Sequence, residues 1–255
     1  MTLPAPLRVT EHYLVTYRHV WRGSVVVSFI GPLLFLAAIG VGLGSLVDSF
    51  PGGVSYLDWV APGLLASAAM QTAAAESTYP VMMGTKWLRT YHSMVATPVS
   101  IGDVVTGHLG FITLRLTTTA VVFAGMMAAF GVPGGFARLA LAALAAVLCG
   151  LSFAAPIVAW AVTRDMDAAF APLFRFVIAP LFLFSGAFFP VSQLPDVLAA
   201  FATITPTWHG VSLCRDIVLG VASPLVDLGH ALYLAAWTVG GWLVARRTYA
   251  RRLAP

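Results

Sequence analysis

Charge is what this chain has least of. Only 9% of its 255 residues are Asp, Glu, Lys or Arg, where a soluble domain carries about a quarter. Lysine occurs once, at Lys86, and cysteine twice, at Cys149 and Cys214. So little charge excludes an ordinary soluble enzyme. Cys149 falls in an apolar run and Cys214 in a separate segment, so no disulfide framework is expected. The chemistry-bearing motifs are also missing. There is no G-x-x-x-x-G-K-[ST] loop, because Gly84-Thr85-Lys86-Trp87 lacks both the upstream glycine spacing and the following hydroxyl. Neither H-E-x-x-H nor G-x-S-x-G occurs, and the six histidines are scattered, so neither a nucleotide nor a metal is expected in this chain.

What is present is apolar length. Hydrophobic residues make up 59% and the mean hydropathy is +0.89. Six runs can each cross a hydrocarbon core about 30 Å thick as helices. They are 25–47, 59–83, 104–130, 139–162, 168–189 and 225–244. Lipid cannot satisfy exposed backbone groups, so the expected class is an all-α integral membrane bundle forming one transmembrane domain over 1–255. The first apolar run starts only at Val25 and is too long for a secretory signal, so it reads as a retained span. Upstream, Val9, Tyr13, Tyr17, Val20 and Trp21 repeat at helical spacing against Arg8, Glu11, Arg18 and Arg22. That pattern predicts an amphipathic helix over 5–22 lying in the membrane surface.

The basic residues set the orientation. With the N-terminus inside, Arg8, Arg18, Arg22, Lys86, Arg89, Arg164, Arg246, Arg247, Arg251 and Arg252 are cytoplasmic, and only Arg138 and Arg215 are outside. The positive-inside rule therefore puts both termini in the cytoplasm, and high Ala with Arg far above Lys points to a bacterial plasma membrane. By the same reasoning the pI of about 9.4 reflects inner loops rather than a nucleic-acid surface, and the basic C-terminus can attract anionic lipid. Residues 190–223 are apolar but broken by Pro190, Pro195 and Pro206. The expectation there is a pair of short helices, re-entrant from the outer side, over Asp196–Ile204 and Thr207–Leu219.

Three charges fall inside spans: Glu76, Arg115 and Arg175. Ionised groups in hydrocarbon face the bundle interior and find partners, so Glu76 is expected to pair with Arg115 or Arg175, as a polar path element or a fixed structural pair. Gly40, Gly42 and Gly44, with Pro32, mark the first span as a place for close helix contact or bending. The loop 84–103 mixes Trp87, Tyr91 and Met94 with Lys86, Arg89 and His92. It predicts a short amphipathic helix ending before Pro98, suited to protein docking or to headgroup anchoring.

The same region carries a family resemblance. The stretches Trp59-Val60-Ala61-Pro62-Gly63-Leu64-Leu65-Ala66, Glu76-Ser77-Thr78-Tyr79-Pro80 and Arg89-Thr90-Tyr91-His92-Ser93-Met94-Val95-Ala96-Thr97-Pro98 occur in order. They are followed by Leu183-Phe184-Ser185-Gly186-Ala187-Phe188-Phe189-Pro190. Together they resemble the permeases of ABC-2-type exporters, in particular the nodulation-factor (lipo-oligosaccharide) branch and daunorubicin-type drug exporters. The resemblance implies a non-catalytic permease that dimerises with a second copy or a sister permease. It also implies two copies of a separate ATPase subunit that binds ATP and Mg. Within this chain it points to Arg89, Thr90, Tyr91, His92, Met94, Thr97 and Pro98 as the ATPase-coupling element, and to export of an amphiphile such as a glycolipid, lipo-oligosaccharide or lipophilic drug. The competing class is a secondary transporter or channel without an ATPase, which would be expected to show ionisable relays or an internal repeat that this sequence lacks.

Overall fold

In a computed structural model that describes residues 4–38, 42 and 53–253, every regular element is helical. The first helix, α1, spans Ala5–Ala37. After the undescribed stretch come α2 (Tyr56–Glu76), α3 (Tyr79–Met82), a π turn over Met83–Trp87, and α4 (Thr90–Val95). Two long helices follow, α5 (Ile101–Ala129) and α6 (Gly135–Ala161). The short helices α7 (Phe170–Leu173) and α8 (Ala179–Phe184) are joined by a second π turn, and α9 (Asp196–Thr203), α10 (Pro206–Leu219) and α11 (Pro224–Leu253) complete the chain.

Among the described residues, four stretches are long and apolar enough to cross a bilayer: Ile101–Ala129, Gly135–Ala161, Asp167–Phe184 and Pro224–Leu253. A fifth is reached if α9 and α10, bent by 79°, count as one. These four cover the third to sixth predicted spans. The far end of the first predicted span, with Gly40 and Gly44, lies outside the described residues. The second, 59–83, is not one helix, because α2 stops at Glu76. The cause is Pro80, which has no N–H to donate to the Glu76 carbonyl and whose ring crowds it. Thr78 occupies the break, and its hydroxyl donates to the carbonyls of Ala74 (3.0 Å) and Ala75 (3.2 Å) that the interrupted ladder leaves open.

The separate interfacial helix over 5–22 does not form. Residues 5–37 are one continuous helix, and its first half runs alongside α5 in the same direction. Val9 packs on Gly107, where a Cβ would fall 2.5 Å from the valine, and the Thr10 hydroxyl donates to the Gly107 carbonyl at 2.9 Å. Further along, Tyr13 stacks on His108 and Phe111, and Tyr17 packs edge-on to Phe111. Val9, Tyr13 and Tyr17, on the apolar side of the predicted surface helix, are therefore helix-packing residues. Gly107 and Gly110 permit the close approach, and Gly23, the one weak breaker before the apolar run, costs only about 1 kcal/mol in a helix.

The core lies between α2, α5, α6, α10 and α11. At the closest crossing of α6 and α11, a Cβ on Gly241 would fall 2.6 Å from the Pro156 ring. In α10 the chain climbs antiparallel to α6. At its start the Thr207 hydroxyl meets Met70 Sδ at 3.3 Å and Gly210 abuts Cys149, whereas Cys214 sits beside Ala142 and Val218 beside Gly134. Met70 is about 21 Å along α2 from Tyr56, so α10 begins well inside the bundle. Arg215 holds the top of this element. Its guanidinium donates to the carbonyls of Trp59 (3.1 Å), Gly186 (2.8 Å) and Ala187 (3.3 Å) and lies 3.9 Å from the Trp59 ring centre. By contrast α9 leaves Val197 82% exposed.

Candidate functional site

Two clusters lie toward the bundle end that carries most of the basic residues. The deeper is an ion pair. Arg115 on α5 donates through Nε to the Glu76 carboxylate at 2.8 Å, with side-chain exposures of 7% and 19%. Its Nη1 donates to the Tyr17 hydroxyl at 2.5 Å, and the guanidinium lies 4.6 Å from the Tyr17 ring centre. The pair thus joins α1, α2 and α5 at the residue where α2 ends. Of the two candidate partners for Glu76 the geometry selects Arg115. Arg175, on the second π turn, is exposed and makes no ion pair with a described residue.

The second cluster is built by the short helix α4. Its start is forced: Arg89 has φ 51° and ψ 29°, a left-handed conformation that costs a non-glycine residue about 1–2 kcal/mol. That turn reverses the chain after the π turn and sends Tyr91 inward, where it is fully buried. The Tyr91 ring lies over Gly84, where any Cβ would sit 2.5 Å from Cζ. Its hydroxyl shares a 2.5 Å hydrogen bond with the Tyr13 hydroxyl on α1 and lies 3.4 Å from His108 Nδ1 on α5. Its ring centre is 5.6 Å from that of Tyr249 on α11. Burial pushes the Tyr91 hydroxyl up to about 12, so it stays neutral at physiological pH. A single side chain therefore links the loop helix to three long helices.

Of the other candidate residues on and around α4, Arg89, His92, Thr97 and Pro98 are exposed, and Thr90 and Met94 are half-buried, with Met94 and Val95 packed against the core. Beside them Trp87 is 56% and Leu88 64% exposed. The surface is bounded by a charge clamp: Asp165, in the loop after α6, receives Lys86 at 2.7 Å and Arg252 near the C-terminal end of α11. These two cations hold the Asp165 carboxyl below the usual carboxylate range. Sequence reasoning grouped Tyr91 with the docking residues and did not single out Tyr13, His108 or Tyr249 as its partners, nor Tyr17 as the partner of Arg115. A signal was present in the four-residue spacing of Tyr13 and Tyr17, which puts both rings on one helix face.

Comparison with known proteins agrees with this architecture. Residues 10–219 match the family model described as ABC-2 type transporter. The chain is 32% identical to Nodulation protein J of Rhizobium meliloti (strain 1021) over 248 residues, covering 92% of this chain and 90% of that one. It is likewise 32% identical to Nodulation protein J of Rhizobium leguminosarum bv. trifolii over 242 residues, covering 91% and 89%. The inner membrane transport permease YadH of Escherichia coli (strain K12) is 25% identical over 252 residues, covering 89% and 95%.

Proposed function

Because this chain belongs to the ABC-2 type transporter family, and so is a multi-pass membrane subunit of a transporter, we propose that it is the permease of an ATP-driven exporter. Its cargo is an amphiphile of the lipo-oligosaccharide class, a reading supported by the kinship with Nodulation protein J. A separate ATPase subunit, in two copies, supplies ATP hydrolysis with its own ATP and Mg, and the permease works beside a second copy or a sister permease. Both termini face the cytoplasm, in keeping with the positive-inside rule. Residues 190–223 dip into the membrane from the outer side, a reading supported by the depth at which α10 begins.

The observation that carries the mechanism is Tyr91. The exposed face of α4, with Trp87 and Leu88 beside it, offers the aromatic, Arg-bearing composition of a docking surface. Its inward face centres on the Tyr91 ring, locked against α1, α5 and α11, with Met94 and Val95 packed beside it. A push on α4 by the ATPase is therefore transmitted to three helices, one of which carries the Arg115–Glu76 pair about two turns farther along. Rigid transmission of this kind moves packed helices as units between discrete arrangements. A nearly neutral, apolar bundle suits an amphiphile that slides along it rather than an ion that must be coordinated.

Co-purification tests this reading. A soluble ATPase is expected to come down with the tagged chain, and Trp87→Ala with Arg89→Glu is expected to lower its recovery at least fivefold at unchanged permease yield. Recovery of the chain alone from native membranes, or of undiminished ATPase with the variant, would contradict it.

A further inference from the structure

Between α6 and α11 the surface carries an open groove of about 660 Å³. It exists because the two helices touch at Gly241 and Pro156 and carry little bulk around that contact, while Trp160 and Trp237 stand as walls. Gly240 lines it, and a Cβ there would meet no heavy atom within 4 Å. The lining is mostly apolar; its polar groups are the Tyr233 hydroxyl, which donates to the Ile204 carbonyl, and Thr163 and Thr248 toward the basic end.

That end carries cations. The guanidinium of Arg164 lies 5.3 Å from the Trp160 ring centre and donates to the Thr163 hydroxyl at 2.7 and 3.0 Å. Arg251 follows Thr248 by three residues on α11 and so lies on the same face. Neither arginine has a carboxylate within 4.0 Å among the described residues, and the nearby Asp165 is held by Lys86 and Arg252. From Tyr233 to Thr248 the groove runs about 22 Å along α11, enough to span the roughly 15 Å of hydrocarbon in one leaflet.

We propose that this groove is a binding site for one anionic phospholipid of the inner leaflet, with an acyl chain lying between Trp160 and Trp237 and the phosphate at Arg164 and Arg251. The arrangement fits such a lipid in polarity, length and charge: an apolar trough ends in hydroxyls and cations with no acid of their own. Arginine suits the phosphate, since its planar fork gives two parallel hydrogen bonds. A lipid held there would brace α11, whose Tyr249 closes the Tyr91 cluster.

Native mass spectrometry of the full chain tests it, with any subunit that accompanies the chain kept in place. After exchange into detergent, the chain is titrated with phosphatidylglycerol or phosphatidylcholine of identical acyl chains. One phosphatidylglycerol per chain is expected, retained at least tenfold better than phosphatidylcholine. Gly240→Phe, which fills the groove, is expected to remove that lipid, and Arg164→Gln to abolish the preference between headgroups. Ala236→Phe, filling the groove from another position, guards against a folding defect in either variant, and thermal unfolding in detergent checks that each is intact. Equal retention of both lipids, or retention unchanged by either filling substitution, would overturn the proposal. Loss of oligomer with lipid binding unaffected would also overturn it, assigning the groove to a second copy.

Discussion

At the scale of the residue, two side chains carry most of the argument. Arg115 is buried with one acid and one tyrosine about it, and removing either member of a buried pair strands the other charge. Arg115→Met is therefore expected to lower stability by about 3–5 kcal/mol, read as the unfolding midpoint in detergent. Glu76→Gln combined with Arg115→Gln should restore most of that loss, because it leaves no unpaired charge. A double variant as unstable as the worse single one would show that the pair is not the coupled unit described. Arg115 and Glu76 were legible as buried charges because so few others interrupt the apolar runs. The choice of Arg115 over Arg175 was not, since depth along a span does not say which face a side chain occupies. Tyr91 shows the opposite failure: in an amphipathic loop a tyrosine fits a headgroup anchor as well as a core residue. Only the glycine opposite it, Gly84, makes room for the ring.

At the scale of the element, breaks and continuities follow local chemistry. Pro80 ends α2, and Ser100 begins α5 with a reciprocal cap: its hydroxyl accepts from Asp103 N at 3.1 Å while its own N–H donates to the Asp103 carboxylate at 2.9 Å. The continuity of α1 was not legible, because an amphipathic stretch followed by an apolar one reads as two helices. The deciding residues, Gly107 and Gly110, lie about a hundred positions away. Lys86, Asp165 and Arg252 tie the π turn, the loop after α6 and α11 together. The Asp165 carboxyl is held below its ordinary value, so this clamp is complete above the unfolded value near 4 and is lost as pH falls through the lower folded one. Amide exchange over 84–95 is expected to be flat from pH 7 to 5 after correction for intrinsic rates, and to rise below pH 4. Asp165→Asn should show the raised exchange throughout, and a wild-type profile in that variant would exclude the clamp.

At the scale of the whole molecule, class and family were legible because charge scarcity and ordered motifs survive without any knowledge of packing. The chain is a multi-pass member of the ABC-2 type transporter family, and in the function we propose its motion is driven by a separate ATPase. In that proposal the α4 helix is the surface on which the ATPase pushes, and Tyr91 distributes the motion. The most direct measurement of this account is outward transport of a fluorescent lipo-oligosaccharide in liposomes holding the purified permease with and without its ATPase. Transport is expected only with the ATPase and ATP, and Tyr91→Ala should reduce it at least tenfold while ATPase binding and hydrolysis persist. Transport by the permease alone, or full transport by the Tyr91→Ala complex, would contradict it.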